Sequence, residues 1–136
     1  MTRIESPEVA LAAPADEVAR GLNDWDVFGA LLGQGPVSDF THDGAQCSFK
    51  VTGGVAIHLR RAQPEVDGSV LCLNTVAPTP VKFTLNALVK PDGEGCRCHV
   101  QCDAELNPFT RMMVEPALNG LFGQMASALH ARYGAA

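Results

Sequence analysis

The side chains of this chain best suited to chemistry are its five cysteines and four histidines, and their spacing excludes most of what such residues do together. Cys98 and His99 are adjacent. Neighbours on an extended strand project to opposite faces, which separates that thiol from that imidazole as a nucleophile and its base. The same alternation puts Cys47 inside and His58 outside. Cys72, His58 and His99 share the outward parity, which amounts at most to an adventitious surface metal site, because no ligand-spacing motif accompanies them. Cys96, Cys98 and Cys102 crowd into one expected strand, where residues two apart lie about 6.6 Å apart and the first and last roughly 20 Å, so one zinc cannot be held by the set. An odd number of cysteines, so placed, is no disulfide framework. We read them as reduced thiols acting as small apolar side chains in a reducing cytoplasm. The chain contains no Gly-rich phosphate loop, nucleophile elbow or HExxH, and we expect neither cofactor nor metal.

Inward-facing polar groups are few. Thr75 falls mid-strand on the dry parity, Arg61 continues that parity to a strand end, and Asp39 and Thr41 do the same near the other end. A threonine hydroxyl can orient a ligand but is a poor base, and a guanidinium stays protonated throughout the physiological range. The pattern weighs against an enzyme.

A length of 136 residues with 46% apolar content predicts one domain, residues 1–136, with a packed core. A net charge of −5 and ten scattered Lys plus Arg offer no basic stripe, so neither nucleic acid nor an anionic membrane surface is an expected partner. No apolar run approaches the roughly twenty residues needed to span a bilayer. Arg3, Glu5, Pro7 and Glu8 occupy the place where an export signal needs its apolar core, so a cytoplasmic location is expected.

The elements that must position these residues follow from periodicity. Residues 2–12 alternate as a first strand, with Pro7 marking an edge position or a bulge. Pro14 opens a short helix with Val18 and Leu22 inward, and a second from Asn23 or Asp24 turns Trp25, Phe28, Leu31 and Leu32 inward until Gly33-Gln34-Gly35-Pro36 stops it. From Val37 the period becomes two. Strands are expected at 37–41, 45–51, 55–62, 69–76, 81–90 and 96–106, separated by the turns His42-Asp43-Gly44, Gly53-Gly54, Asp67-Gly68, Pro78-Thr79-Pro80 and 91–95, which makes an antiparallel meander with one dry and one wet face. Asn107 and Pro108 then start a helix. Leu118, Leu121, Phe122, Met125 and Leu129 form one face of it, whereas Phe109, Met112 and Met113 lie nearly opposite. That phase conflict and Pro116 predict a short helical turn over 108–114 followed by a separate long helix from 116.

The order β-α-α-β-β-β-β-β-β-α resembles the helix-grip fold of the START-like (SRPBCC) superfamily: α+β, a curved seven-stranded antiparallel sheet around a long C-terminal helix. Ala13-Pro14-Ala15-Asp16-Glu17-Val18 is similar to that superfamily's strand-to-helix junction. Val81-Lys82-Phe83-Thr84-Leu85 and Asp103-Ala104-Glu105-Leu106-Asn107-Pro108 look like its late strands and the start of its closing helix. The likeness is topological and covers nearly the whole chain, so it carries over a fold and no catalytic residue.

What the fold implies is a cavity. Seven strands at about 4.8 Å span roughly 30 Å, whereas one helix covers about 10–12 Å, so the sheet must curl around a space suited to a small apolar ligand. Its expected lining is Phe49, Ile57, Leu59, Leu71, Leu73, Thr75, Phe83, Leu85, Cys98 and Val100, with Leu121, Phe122 and Met125 opposite. The expected function is binding or carriage of a hydrophobic or amphipathic molecule of the lipid, sterol, quinone or polyketide type. The resemblance implies two alternatives, a polyketide cyclase or aromatase-like enzyme and a chaperone co-activator-like module; the out-of-phase Phe109, Met112 and Met113 would form either the mouth of the cavity or an exposed patch that meets a protein partner.

Overall fold

The computed structural model describes residues 2–32, 37–51, 55–76 and 82–134, with Val55, Met113 and Val114 described by backbone alone. The expected turns at 33–36, 53–54 and 78–80, the Val81 position and the Met113 side chain lie outside the described residues.

The elements run β1 (Thr2–Glu5), β2 (Val9–Leu11), α1 (Ala15–Leu22), α2 (Trp25–Leu32), β3 (Ser38–His42), β4 (Gln46–Val51), β5 (Val55–Ala62), β6 (Ser69–Thr75), β7 (Lys82–Asp92), β8 (Gly95–Glu105) and α3 (Pro108–Tyr133). All pairings are antiparallel in the order β1-β8-β7-β6-β5-β4-β3, with β2 also on β8. The first strand is therefore two segments on one neighbour. Glu5 faces Gln101 while Val9 faces Cys98, so one extra residue is accommodated around Pro7, which has no N–H to give the ladder. Ser6 fills the gap: its backbone N–H reaches the Val100 carbonyl and its hydroxyl accepts from the Val100 N–H.

The eleven-residue strands β7 and β8 form the spine of the sheet, joined by a tight turn in which Gly93 adopts φ 61°. Inward parity holds along them, with Phe83, Leu85, Ala87, Val89, Cys98, Val100, Cys102 and Ala104 all buried. These join α1, α2 and the inner stripe of α3 in one apolar cluster.

The closing helix differs from expectation. Residues 108–133 form one helix with Pro116 inside it. The expected break supposed that both apolar sets had to be buried, but Phe109 and Met112 are 75% and 79% exposed, so one helix serves. Pro116 is itself exposed, where water can take up the carbonyl its missing N–H leaves unpaired. The start of the helix agrees with expectation: the Asn107 side chain accepts from the Thr110 N–H at 2.7 Å, and Pro108 occupies the first turn. At its other end, the Tyr133 carbonyl accepts from the N–H groups of Ala12 and Ala13, at 2.9 and 3.2 Å, tying α3 to the β2–α1 junction.

Candidate functional site

The space between the inner sheet face and α3 is built from the residues the sequence pointed to. Phe49, Ile57, Leu59, Leu71, Leu73, Phe83, Leu85, Cys98, Val100, Leu121, Phe122 and Met125 are each 6% exposed or less. They close on one another as core. Thr75 is half-buried, and its Oγ1 accepts from the Phe83 N–H at 3.1 Å. Thr75 and Phe83 also border a pocket of about 360 Å³ at the end of β6 and β7, whose other walls, Asn74, Lys82, Thr84, Asp103 and Glu105, belong to the outer face of the sheet. Beyond the same end of the sheet, a larger groove of about 660 Å³ runs along the first turns of α3, bordered by Thr2, Leu106, Met112 and Pro116.

The interior thiols are held protonated. Burial pushes Cys47, Cys98 and Cys102 up to about 12; Arg61 pulls Cys47 weakly the other way, whereas Cys96 and Asp103 add to the rise at Cys98 and Cys102 respectively. A thiol so shifted is a poor nucleophile at neutral pH. All five cysteines are free and buried.

Helices α1 and α2 cover the opposite end, and Arg61 anchors them. Its Nη2 donates to the Asn23 carbonyl at 2.7 Å and its guanidinium lies 4.6 Å from the centre of the Trp25 ring. Its Nε is buried with no hydrogen-bond partner among the described residues. Trp25 donates from Nε1 to the Gly44 carbonyl at 2.7 Å and stacks on His42, which meets Asp26 at 3.2 Å. Asn23 bonds the Ala19 and Val70 carbonyls, both at 2.9 Å, so the elbow between the helices is fixed to β6 as well. Arg61 is thus a structural anchor rather than a free group at a rim.

Asp39 and Thr41 do not point inward. Pairing of Ser38 with Lys50 and of Thr41 with Ser48 leaves one residue extra, and Asp39, at φ 56°, takes up the bulge. The displacement turns Asp39 out toward Lys50 and brings Phe40 onto Phe28 and Phe49.

The outer face is less wet than its alternation suggested. Cys72, Asn86 and Gln101, cross-strand partners in one row over β6, β7 and β8, are buried. The connection from β5 to β6 borders a pocket over Cys72 and Asn86, and nothing in the local sequence announces it. Sequence parity also missed a cross-strand contact on this face, Ser48 Oγ to His58 Nδ1 at 2.7 Å. Among the described residues, no group of three or more His, Cys, Asp or Glu could hold a metal ion, and no helix is long and apolar enough to cross a membrane.

No protein-family model matches the chain, and no curated protein matches it significantly. Solved structures do. A point mutant of norcoclaurine synthase from Thalictrum flavum, in complex with a transition-state analogue, superposes with a TM-score of 0.71 at 17% identity, covering 96% of this chain and 92% of that one. A protein from Thermus thermophilus, TTHA0849, gives 0.68 at 17% identity, over 96% of both chains. The di-domain aromatase/cyclase BexL gives 0.70 at 16% identity, covering 95% of this chain and 45% of that one. The chain has the helix-grip fold. At these identities the likeness fixes architecture, so function must be argued from the site.

Proposed function

We propose that this helix-grip protein binds a small apolar or amphipathic molecule between its sheet and α3, without covalent chemistry. The observation that supports this reading is the character of the inner surface. Its described side chains are aliphatic, aromatic and thiol, and the thiols are held neutral. Such a surface offers burial of apolar area, at roughly 25 cal/mol per Å², and little acid or base to drive a cyclisation. Because those side chains close on one another, a guest must displace some of them. The end bordered by Thr75, Phe83 and the first turns of α3 is the side from which it would enter, since α1 and α2 cover the other. A norcoclaurine synthase and the aromatase/cyclase BexL share the fold, but the inner surface here favours holding a molecule over transforming it. Lipid, sterol, quinone and polyketide remain the candidate classes, and five free thiols suit a reducing cytoplasm.

Native mass spectrometry of freshly purified protein, followed by thermal-shift titration with fatty acids, sterols, quinones and aromatic polyketides, tests this. A ligand at about 100 times its Kd adds about 2.7 kcal/mol, and for a chain of this length that raises Tm by roughly 9 °C. Absence of both a co-purified mass and any shift across the four classes overturns the reading.

A further inference from the structure

Two rows of cross-strand neighbours lie side by side on the outer face of β6, β7 and β8: Cys72, Asn86 and Gln101 in one, Asn74, Thr84 and Asp103 in the next. The connection from β5 to β6 brings Ala62, Gln63, Glu65 and Val66 against them and leaves a pocket of about 520 Å³. The pocket of about 360 Å³ at the end of β6 and β7 shares Asn74, Thr84 and Asp103 with it, so the two meet along the second row as one groove.

The amides in this groove present donors. Asn86 is only 2% exposed, and its Oδ1 accepts from Ser69 Oγ at 2.8 Å. Its NH2 has no partner among the described residues, on a side chain that borders the larger pocket. A buried N–H without a partner costs stability, and the groove is the space from which one can come. Asn74 repeats the arrangement in the shared row. Its Oδ1 accepts from Thr84 Oγ1 at 2.7 Å, which leaves its NH2 without a partner among the described residues as well. Asp103 supplies the opposite character from a fixed position: one oxygen accepts from Arg3 Nε at 2.9 Å and the other from Gln101 Nε2 at 3.4 Å, and each keeps a further acceptor site. From strand spacing and rise, the three residues stand about 8–10 Å apart at the backbone, a span that a hydroxylated six-membered ring can bridge.

The charge of the ligand follows from this mixture. A cation would suit Asp103 and leave both NH2 groups unmatched, whereas an anion would suit the NH2 groups and be repelled by Asp103 and Glu65. A hydroxyl accepts and donates through the same oxygen. We propose that the groove binds a neutral cyclic polyol, of the monosaccharide or cyclitol class. Its hydroxyl oxygens accept from the NH2 groups of Asn74 and Asn86, its hydroxyl protons are directed to Asp103, and its C–H face rests on Ala62 and Val66.

The test is a two-dimensional 1H–15N NMR titration of the full chain at neutral pH with myo-inositol and with methyl β-D-glucopyranoside, using cyclohexanol as the match with a single hydroxyl. We expect saturable shifts of the Asn74 and Asn86 side-chain NH2 signals and of the Val66 and Thr84 backbone amides with at least one polyol, and none of that size with cyclohexanol. Asn74 is exposed, so Asn74→Ala keeps the fold, and it should weaken binding about fivefold through the loss of one hydrogen bond. No saturable shift with either polyol, equal shifts with cyclohexanol, or unchanged affinity in Asn74→Ala each overturn the proposal. Asn74→Ala leaves the inner surface untouched, so the interior reading stands or falls on its own test.

Discussion

Each interior thiol of this protein stores a dependence on pH. Cys47, Cys98 and Cys102 are raised to about 12, chiefly by burial, from an ordinary value of 9.0. Between those values the folded chain keeps protons that the unfolded chain releases, so stability falls as pH rises. The contribution is fully present below pH 9 and is lost on the way to 12. Each thiol loses about 1.4 kcal/mol per pH unit once the unfolded value is passed, so three together should remove roughly 4 kcal/mol by about pH 10. Urea unfolding at about pH 7 and about pH 10 in the presence of a reductant measures this. The Cys98→Ala, Cys102→Ala double variant should show a clearly shallower slope than the wild type, the remainder coming from Cys47 and from Cys72 and Cys96, which burial also raises; an unaltered slope would assign the effect to other groups.

At the level of elements, α3 divides into two parts with different duties. Its inner stripe of Leu118, Leu121, Phe122, Met125 and Leu129 is buried, while Phe109 and Met112 project from its first turns into solvent. Replacing Phe109 and Met112 together with serine should change stability by no more than about 1 kcal/mol, because surface substitutions away from packing seldom exceed ~0.5 kcal/mol each. Differential scanning calorimetry reads this directly, and a fall in Tm beyond about 5 °C would show that these side chains pack against something. Leu121→Ala, by contrast, removes a fully packed side chain and should cost roughly 2–5 kcal/mol in the same measurement.

For the molecule as a whole, the closing helix completes the core. Five large buried side chains contribute roughly 8–15 kcal/mol as an upper bound, against whole-domain stabilities of about 5–15 kcal/mol. Deleting residues 116–136 should therefore abolish the cooperative melting transition, and a truncated chain that still melts sharply would overturn that role. Much of this architecture was legible in the sequence, because alternation in β4 to β8 and the stripe from Leu118 to Leu129 each report a single buried face. Asn107-Pro108 likewise declared the start of α3. What stayed hidden has a common cause: bulges and overlying loops change which way a residue faces without changing the residue. The bulge at Asp39 reversed the expected faces of β3, and the 63–68 connection sheltered Cys72 and Asn86, two outward positions whose neighbours are polar. The continuous helix through Pro116 was illegible because periodicity locates apolar residues but does not say which of two apolar sets will be covered. The thirteen residues expected to line a cavity do come together, but only Thr75 among them keeps a half-exposed place at the margin.

The pairing of β1 with β8 links residues that lie far apart along the chain, Thr2 opposite Ala104 and Arg3 in contact with Asp103. A ribosome making this protein must hold the opening strand unmatched while about a hundred further residues emerge, and the seam can zip only after the last hairpin has turned. Such distant partners slow the search for the native state. The opening segment would meanwhile offer an unclaimed strand to any neighbour, and Pro7, lacking a donor where the ladder would continue, shortens what that neighbour could grasp.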